Sequence, residues 1–392
     1  MFDFNYYTPT EVVFGKSVEE QTGKMVKKYG GNKVLLHYGS GSVIRSGLLD
    51  RIKKSLEEQE IAYVELGGVV PNPRLTKVYE GIELCRKENV DFLLAVGGGS
   101  VLDSAKAIGY GLVNDGDVWD FYEHTRKASG CMPMGVVVTI AAAGSEMSSS
   151  SVITNEERGM KRGYNDDASR PKFAIMNPEL TMTLPAYQTS SGCADILMHT
   201  QERYFTSGGN MELTDSLAEG LMRTVITNAK ILMEQPDNYD ARAEILWASS
   251  LSHNGLTGCG IKAGDFVCHA LEHEIGAMFD VAHGAGLAAV WGSWARYVYK
   301  NCLPRFVKFA KNVMLVDVDG SDEEIALAGI EALEEFYRAI DMPTNMRELG
   351  VEPTEEQIAV MAHGVALAKG EKFGSAKVLC EADAAEIYRM AR

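Results

Sequence analysis

The stretch "FVCHALEHEIGAMFDVAHG" at 266–284 carries His269, His273 and His283, three of the eight histidines in the chain. His269 and His273 are four apart, so a helix would put both on one face. Upstream, "SSGCADILMHTQERYF" sets Asp195 and His199 at the same spacing. Three histidines and one aspartate drawn from this set suit a borderline divalent metal such as Fe(II) or Zn(II). Two helices facing each other would build such a site. A rival reading uses the same residues. "HALEH" fits H-x-x-E-H, a zinc-peptidase pattern in which His269 and His273 bind zinc and Glu272 is the base. That reading leaves Asp195 and His199 idle. His37, His124, His253 and His363 read as hydrogen-bonded core residues or as surface residues.

Two glycine-rich turns offer a second chemistry. "DFLLAVGGGSVLDSAKAIG" reads as strand, turn and helix, with Gly97, Gly98 and Gly99 allowing close backbone approach. Ser100 is expected as the N-cap, with Asp103 closing a capping box. Amides at such a helix start suit a pyrophosphate. The spacing is not G-x-G-x-x-G, because Leu102 stands at the third glycine's place. "YGSGSVIRSG" repeats the theme with Gly39, Ser40, Gly41 and Ser42. Two such loops after two parallel strands favour a dinucleotide. A non-catalytic metal sensor would need neither loop.

The elements that must position these residues fall into two halves. "KVLLHY" at 33–38, "IAYVEL" at 61–66, "DFLLAV" at 91–96 and "MGVVVT" at 134–139 are short apolar runs separated by helical patterns. That alternation implies a parallel sheet covered on both faces. From about residue 184 onward, long periodic segments read as helices and strand signals almost vanish. The proline-containing "NPELTMTLPA" marks the boundary. The expected architecture is an α/β nucleotide-binding domain over residues 1–184 and an all-α metal-binding domain over 185–392.

With 392 residues and 46% apolar content, the chain can bury a sizeable core. A formal charge of −16 repels nucleic-acid phosphates. No apolar run is long enough to span a bilayer. The first residues lack the features of a signal peptide. Seven scattered cysteines without a CxxC pair suit free thiols. A cytoplasmic protein is therefore expected, without nucleic-acid or membrane partners.

Taken together, "PNPR" at Pro71, "AVGGGSVLDSAKAI" at Ala95, "AGSEM" at 143–147, "GCADILMHTQERYF" at Gly192 and "HALEHEIGAMFDVAHGAGLA" at His269 resemble the iron-containing (group III) alcohol dehydrogenases. The likeness spans nearly the whole chain and is nearest to the NADPH-dependent butanol dehydrogenase branch. It implies a Rossmann-like domain followed by a helical one, as in dehydroquinate synthase. It implies that Asp195, His199, His269 and His283 bind the metal, and that His273 lies beside the nicotinamide and substrate as a proton relay. It assigns Gly97, Gly98, Gly99, Ser100 and Asp103 to the pyrophosphate, Asn72 to the adenosine side, and Thr139, Ser148 and Lys161 to the cofactor lining. The 39–42 loop would surround the adenosine ribose. This loop holds no acid, which leaves room for a 2′-phosphate and favours NADP(H) over NAD(H). Glu65 opposes this, standing where a ribose-binding acid would be expected.

The implied reaction passes hydride between a nicotinamide and the carbonyl of an aldehyde such as butyraldehyde, with the divalent metal as Lewis acid. A homodimer through the N-terminal strands is also implied. The chain departs from the family pattern in "TIAAAGSEM", where Ala141 and Ala143 replace a proline and a hydroxyl residue. The same architecture serves glycerol dehydrogenase and dehydroquinate synthase. The latter needs basic residues for a phosphorylated, carboxylated substrate, and the helical half shows few near the histidines.

Overall fold

The computed structural model describes the chain except residues 40 and 207. It divides into two compact units: Thr8–Thr183, and Leu184–Arg392 together with Met1–Tyr7. The first seven residues thus group with the helical unit, whereas the sequence reading placed them with the α/β one. Phe2 N donates to the Gly260 carbonyl at 2.9 Å.

The α/β unit is built on strands β1 (Glu11–Phe14), β2 (Lys33–Gly39), β3 (Ala62–Val69), β4 (Phe92–Gly97), β5 (Met134–Val138), β6 (Ser150–Asn155), β7 (Met160–Asn165) and β8 (Phe173–Met176). Its main helices are α1 (Thr22–Lys28), α2 (Leu48–Glu57), α3 (Leu75–Glu88) and α4 (Gly99–Val113). Six strands form one sheet in the order β1-β8-β5-β4-β2-β3. Every pairing in it is parallel. All residues of β4 and β5 are buried, as expected for strands covered on both faces. The chain runs from β2 outward to β3, then returns to β4 on the other side of β2. That reversal is the switch point of an open α/β sheet, where ligands bind beyond the carboxyl ends of the strands.

Three features escaped the sequence reading, the first of them the edge strand β1, where no strand is expected from the sequence. β8 is an interior strand, yet "FAIM" is only four residues long and follows a proline. The serine-rich segment after "GSEM" forms β6, which pairs antiparallel with β7.

His37 lies fully buried in β2. Its Nδ1 faces the Leu66 carbonyl and its Nε2 faces Ser104 Oγ, both at 2.9 Å. It is the hydrogen-bonded core histidine the sequence suggested. Burial lowers its pKa from 6.5 to about 4. Between those values the unfolded chain takes up a proton that the folded one refuses. Stability is therefore full above pH 6.5 and falls as pH drops toward 4, by about 3 kcal/mol at most. Denaturant titrations at pH 7 and pH 5 should show this loss, and His37→Gln should shrink the difference. An equal pH dependence in the variant would refute the assignment.

The helical unit consists of α5 (Ala186–Tyr204), α6 (Glu212–Glu234), α7 (Tyr239–His253), α8 (Val267–Phe279), α9 (His283–Val298), α10 (Leu303–Asn312), α11 (Asp322–Ala339), α12 (Glu355–Lys369) and α13 (Glu381–Ala391). Its core is aromatic: Phe205 stacks on Phe306 at 4.3 Å between centroids and meets Trp294 edge-on at 5.8 Å. Ser321 with Glu324, and Thr354 with Gln357, form capping boxes that start α11 and α12. Among the described residues, no helix is long and apolar enough to cross a membrane.

Candidate metal centre and nucleotide loops

Helix α5 carries Asp195, His199 and Glu202, spaced so that all three share one face. Helix α8 carries His269, Glu272 and His273. It stops at Asp280, which adopts the left-handed conformation with φ 51°. His283 opens α9. Two glycines let α9 pack this closely. A Cβ on Gly284 would lie 1.9 Å from the Ser191 carbonyl oxygen, and one on Gly286 would lie 2.8 Å from Glu272 Cγ.

These elements converge on Asp195. Its Oδ1 lies 3.1 Å from His199 Nδ1, 3.6 Å from His269 Nε2 and 3.8 Å from His283 Nε2. Ligand atoms of Asp195, His199 and His269 lie within 4.8 Å of one another. Asp195 Oδ1 and His269 Nε2 are buried and have no hydrogen-bond partner among the described residues. Burying such atoms unsatisfied is costly, so they call for a partner. A carboxylate oxygen and imidazole nitrogens are the donor set that a borderline divalent cation takes, so the residues fit the metal.

Two further carboxylates orient the rings. Glu202 Oε2 holds His269 Nδ1 in a very short hydrogen bond, and Glu272 Oε2 holds His283 Nδ1 in another. Both glutamates are buried to 0% exposure. This is the arrangement in which an outer carboxylate fixes the tautomer of a metal-binding imidazole and turns its other nitrogen inward. The sequence reading did not assign these roles. Glu202 sits one turn beyond His199 on the Asp195 face, a signal that spacing alone could have supplied. Glu272 is engaged with His283 and is not placed as the free base that the peptidase pattern requires. His273 is half-buried, with its ring 6.3 Å from that of His269 and 5.9 Å from that of His283.

The electrostatics follow from this crowding. Burial penalises the Asp195 carboxylate, but the neighbouring His199 and His283 hold its pKa well below the usual range. Burial likewise opposes charge on His269, yet the Glu202 and Asp195 carboxylates together raise it to about 9. Burial lowers His199 to about 4. Metal uptake at His269 would displace a proton.

The glycine loops lie in the α/β unit. Gly39 ends β2 and Asn72, with φ 54°, follows β3. Gly97 ends β4, and Thr139 follows β5 with its N–H on the Gly97 carbonyl at 3.0 Å. All four therefore stand at the carboxyl-end edge of the sheet. Gly41 precedes a one-turn helix that Ser42 begins. Ser40 falls outside the described residues. Ser148 and Lys161 are buried on and beside the β6–β7 hairpin.

The expected capping box is absent. Gly98 is the N-cap of α4, without a side-chain cap, and Ser100 lies inside the helix. Asp103 instead accepts from Ser145 Oγ at 2.7 Å and Val152 N at 3.0 Å, bracing the "GSEM" loop and the hairpin. The glycines make room for side chains: a Cβ on Gly98 would meet Ile140 Cγ2 at 2.1 Å, and one on Gly97 would meet Val101 Cγ2 at 2.6 Å. Glu65 pairs with Lys53 at 2.8 Å and accepts from Tyr38 OH at 3.2 Å, so its carboxylate is already engaged.

Comparison with known proteins extends the picture. The family profile "Iron-containing alcohol dehydrogenase" matches residues 9–178, and "Fe-containing alcohol dehydrogenase family, C-terminal" matches residues 189–392. The chain is 40% identical to "NADH-dependent butanol dehydrogenase A" of Clostridium acetobutylicum, over 99% of each chain. It is 33% identical to the "NADPH-dependent aldehyde reductase YqhD" of Escherichia coli, over 90% of each. The crystal structure of a Thermotoga maritima protein named NADH-dependent butanol dehydrogenase A superposes with a TM-score of 0.96 at 38% identity. It covers 100% of this chain and 99% of its own.

Proposed function

Because the chain belongs to the iron-containing alcohol dehydrogenase family and is therefore an oxidoreductase, we propose that it interconverts primary alcohols such as butanol with their aldehydes, using a divalent metal and NADP(H). The observation that carries the metal assignment is the pair of buried, unpartnered atoms Asp195 Oδ1 and His269 Nε2. Asp195, His199, His269 and His283 would hold the ion, Fe(II) or Zn(II). When bound, the metal supplies Lewis acidity toward a carbonyl oxygen, and the nicotinamide supplies the hydride. Glu202 and Glu272 keep the Nδ1 atoms of His269 and His283 occupied, so their Nε2 atoms stay turned inward. His273 lies near His283 without belonging to the assigned ligand set, and is the group that would move a proton to and from the substrate oxygen.

On the cofactor side, Gly97, Gly98, Gly99, Ser100 and the sheet-edge positions Gly39, Gly41, Ser42, Asn72 and Thr139 would contact the dinucleotide, with Ser148 and Lys161 lining it. Asp103 would act by shaping the loop. The preference for NADP(H) draws support from Glu65, whose carboxylate is taken up by Lys53 and Tyr38, and from the close of β3 as Gly67, Gly68 and Val69 without an acid. Against it stand the names of the more similar relatives, which are NADH-dependent, while the aldehyde reductase at 33% identity is NADPH-dependent. Seven free thiols support a reducing, cytoplasmic setting. Strand β1, at the sheet edge, supports a homodimer formed along that side.

The test is nicotinamide oxidation with butyraldehyde by chelator-stripped enzyme given back Fe(II) or Zn(II). The expected result is metal-dependent turnover, faster with NADPH than with NADH. Faster turnover with NADH would keep the enzyme class and overturn the cofactor preference. No turnover with either cofactor across several aldehydes would overturn the substrate assignment.

A further inference from the structure

The four candidate ligands leave a neighbouring cation unexplained. Arg203 follows His199 by one turn on α5. Its Nη1 donates to the carbonyl oxygens of His199 at 2.6 Å and Ser252 at 3.1 Å, and its Nη2 donates to His253 Nδ1 at 3.2 Å. The same guanidinium lies over the Phe266 ring, 4.9 Å from its centroid. His253 and Phe266 each back one candidate ligand. The His253 ring is 4.0 Å from that of His199, and the Phe266 ring is 5.7 Å from that of His269. One side chain of α5 thus gathers two aromatic rings from separate segments, the last residue of α7 and the residue before α8, against two imidazoles aimed at one point.

Two details show that this arrangement is held against a cost. A guanidinium only donates, so His253 must accept at Nδ1 and carry its proton on Nε2. That keeps the ring neutral beside His199. Phe266 adopts φ 52°, a left-handed conformation unfavourable for a bulky side chain. A fixed positive group near a cation site also works against binding through repulsion. Geometry must outweigh that repulsion for the site to benefit.

We propose that Arg203 and His253 are positioning residues for the metal centre, holding the His199 and His269 rings in the orientation that binds the ion. The proposal rests on the ligand assignment above. The test uses the full chain stripped of metal, with Zn(II) in competition against a chromophoric chelator and Co(II) as a spectroscopic probe. Arg203→Gln is expected to raise the Zn(II) dissociation constant about 10- to 100-fold, the range seen when outer partners of metal ligands are lost. His253→Ala is expected to raise it by less. Both should alter the Co(II) absorption bands of the folded protein, a readout taken below the metal-free melting temperature so that any loss of stability does not enter it. An Arg203→Gln protein that binds Zn(II) as tightly as wild type, or more tightly through lost repulsion, with the same Co(II) bands, would overturn the proposal alone. Wild type that takes up no Zn(II) or Co(II) would overturn the ligand assignment, and the proposal with it. Should Arg203→Gln fail to fold, His253→Ala decides by the same readouts.

Discussion

Asp195→Ala is expected to leave the protein folded, with less than stoichiometric metal after dialysis and turnover reduced by at least about a thousandfold, roughly 4 kcal/mol of transition-state stabilisation. Asp195 is the anionic member of the assigned ligand set, and its Oδ1 is the atom to which His199, His269 and His283 are all referred. Without it, three imidazoles would have to hold a dication with charge compensation only from outer carboxylates. Asp195→Asn keeps the shape and tests the charge alone. The contrasting variant is His273→Phe, which should keep its metal but turn over about a hundredfold more slowly, as loss of a proton-transfer group predicts. Metal per chain and kcat, measured on the same preparations, separate the two roles. Full metal content and full activity in Asp195→Ala would remove the ligand assignment.

Lys106→Met is expected to cost about 2–4 kcal/mol of stability, since it strands several buried acceptors that cannot be rehydrated. Lys106 is fully buried in α4. Its Nζ donates to Ser145 O at 2.8 Å, Ser145 Oγ at 2.9 Å, Ser148 O at 3.0 Å and Ser150 O at 2.7 Å. Burial lowers its pKa to about 8, although Asp103 and Glu146 favour the charge. It ties the helix that follows the glycine turn to the loop carrying Ser148. The melting temperature of the α/β unit should fall by roughly 10 °C at 2–4 °C per kcal/mol. The KM for the cofactor should rise more than kcat falls. An unchanged melting temperature would show that the carbonyls find other donors.

The part of this site that sequence made visible is the part governed by helical period. Asp195 with His199, and His269 with His273, are i,i+4 pairs that need no tertiary knowledge to share a face. How the imidazoles of 269–283 sit relative to one another was not visible by that means. His273 and His283 differ because α8 ends at Asp280 and α9 begins at His283, a break the histidine spacing does not show. The roles of Glu202 and Glu272 depend on contacts between helices, and Glu272 in particular invited the peptidase reading. In the sheet, the strands backed by six-residue apolar runs were readable. β8 was not, because its interior position between β1 and β5 comes from partners far along the chain rather than from its own length. The Ser100 cap failed for a related reason: Asp103, its presumed partner, is drawn away by Ser145 and the Val152 amide. Arg203 stands inside the quoted "GCADILMHTQERYF" with no spacing that singles it out, and His253 lies in none of the quoted stretches.

The strand order has a consequence for how the protein is made. Glu11 of β1 pairs with Phe173 of β8, so the ribosome delivers one edge of the sheet long before the strand that receives it. β2, β3 and β4 can pair among themselves while β1 waits, and closure of the unit is a late, non-local event of the kind that slows folding. The first seven residues wait longer still, because their compact unit begins again only at Leu184 and runs to Arg392. Residues 1–7 thus wait for partners made only after residue 184. A nascent chain halted before Leu184 would leave residues 1–7 without the unit they belong to, and the Phe2 amide without the Gly260 carbonyl it donates to.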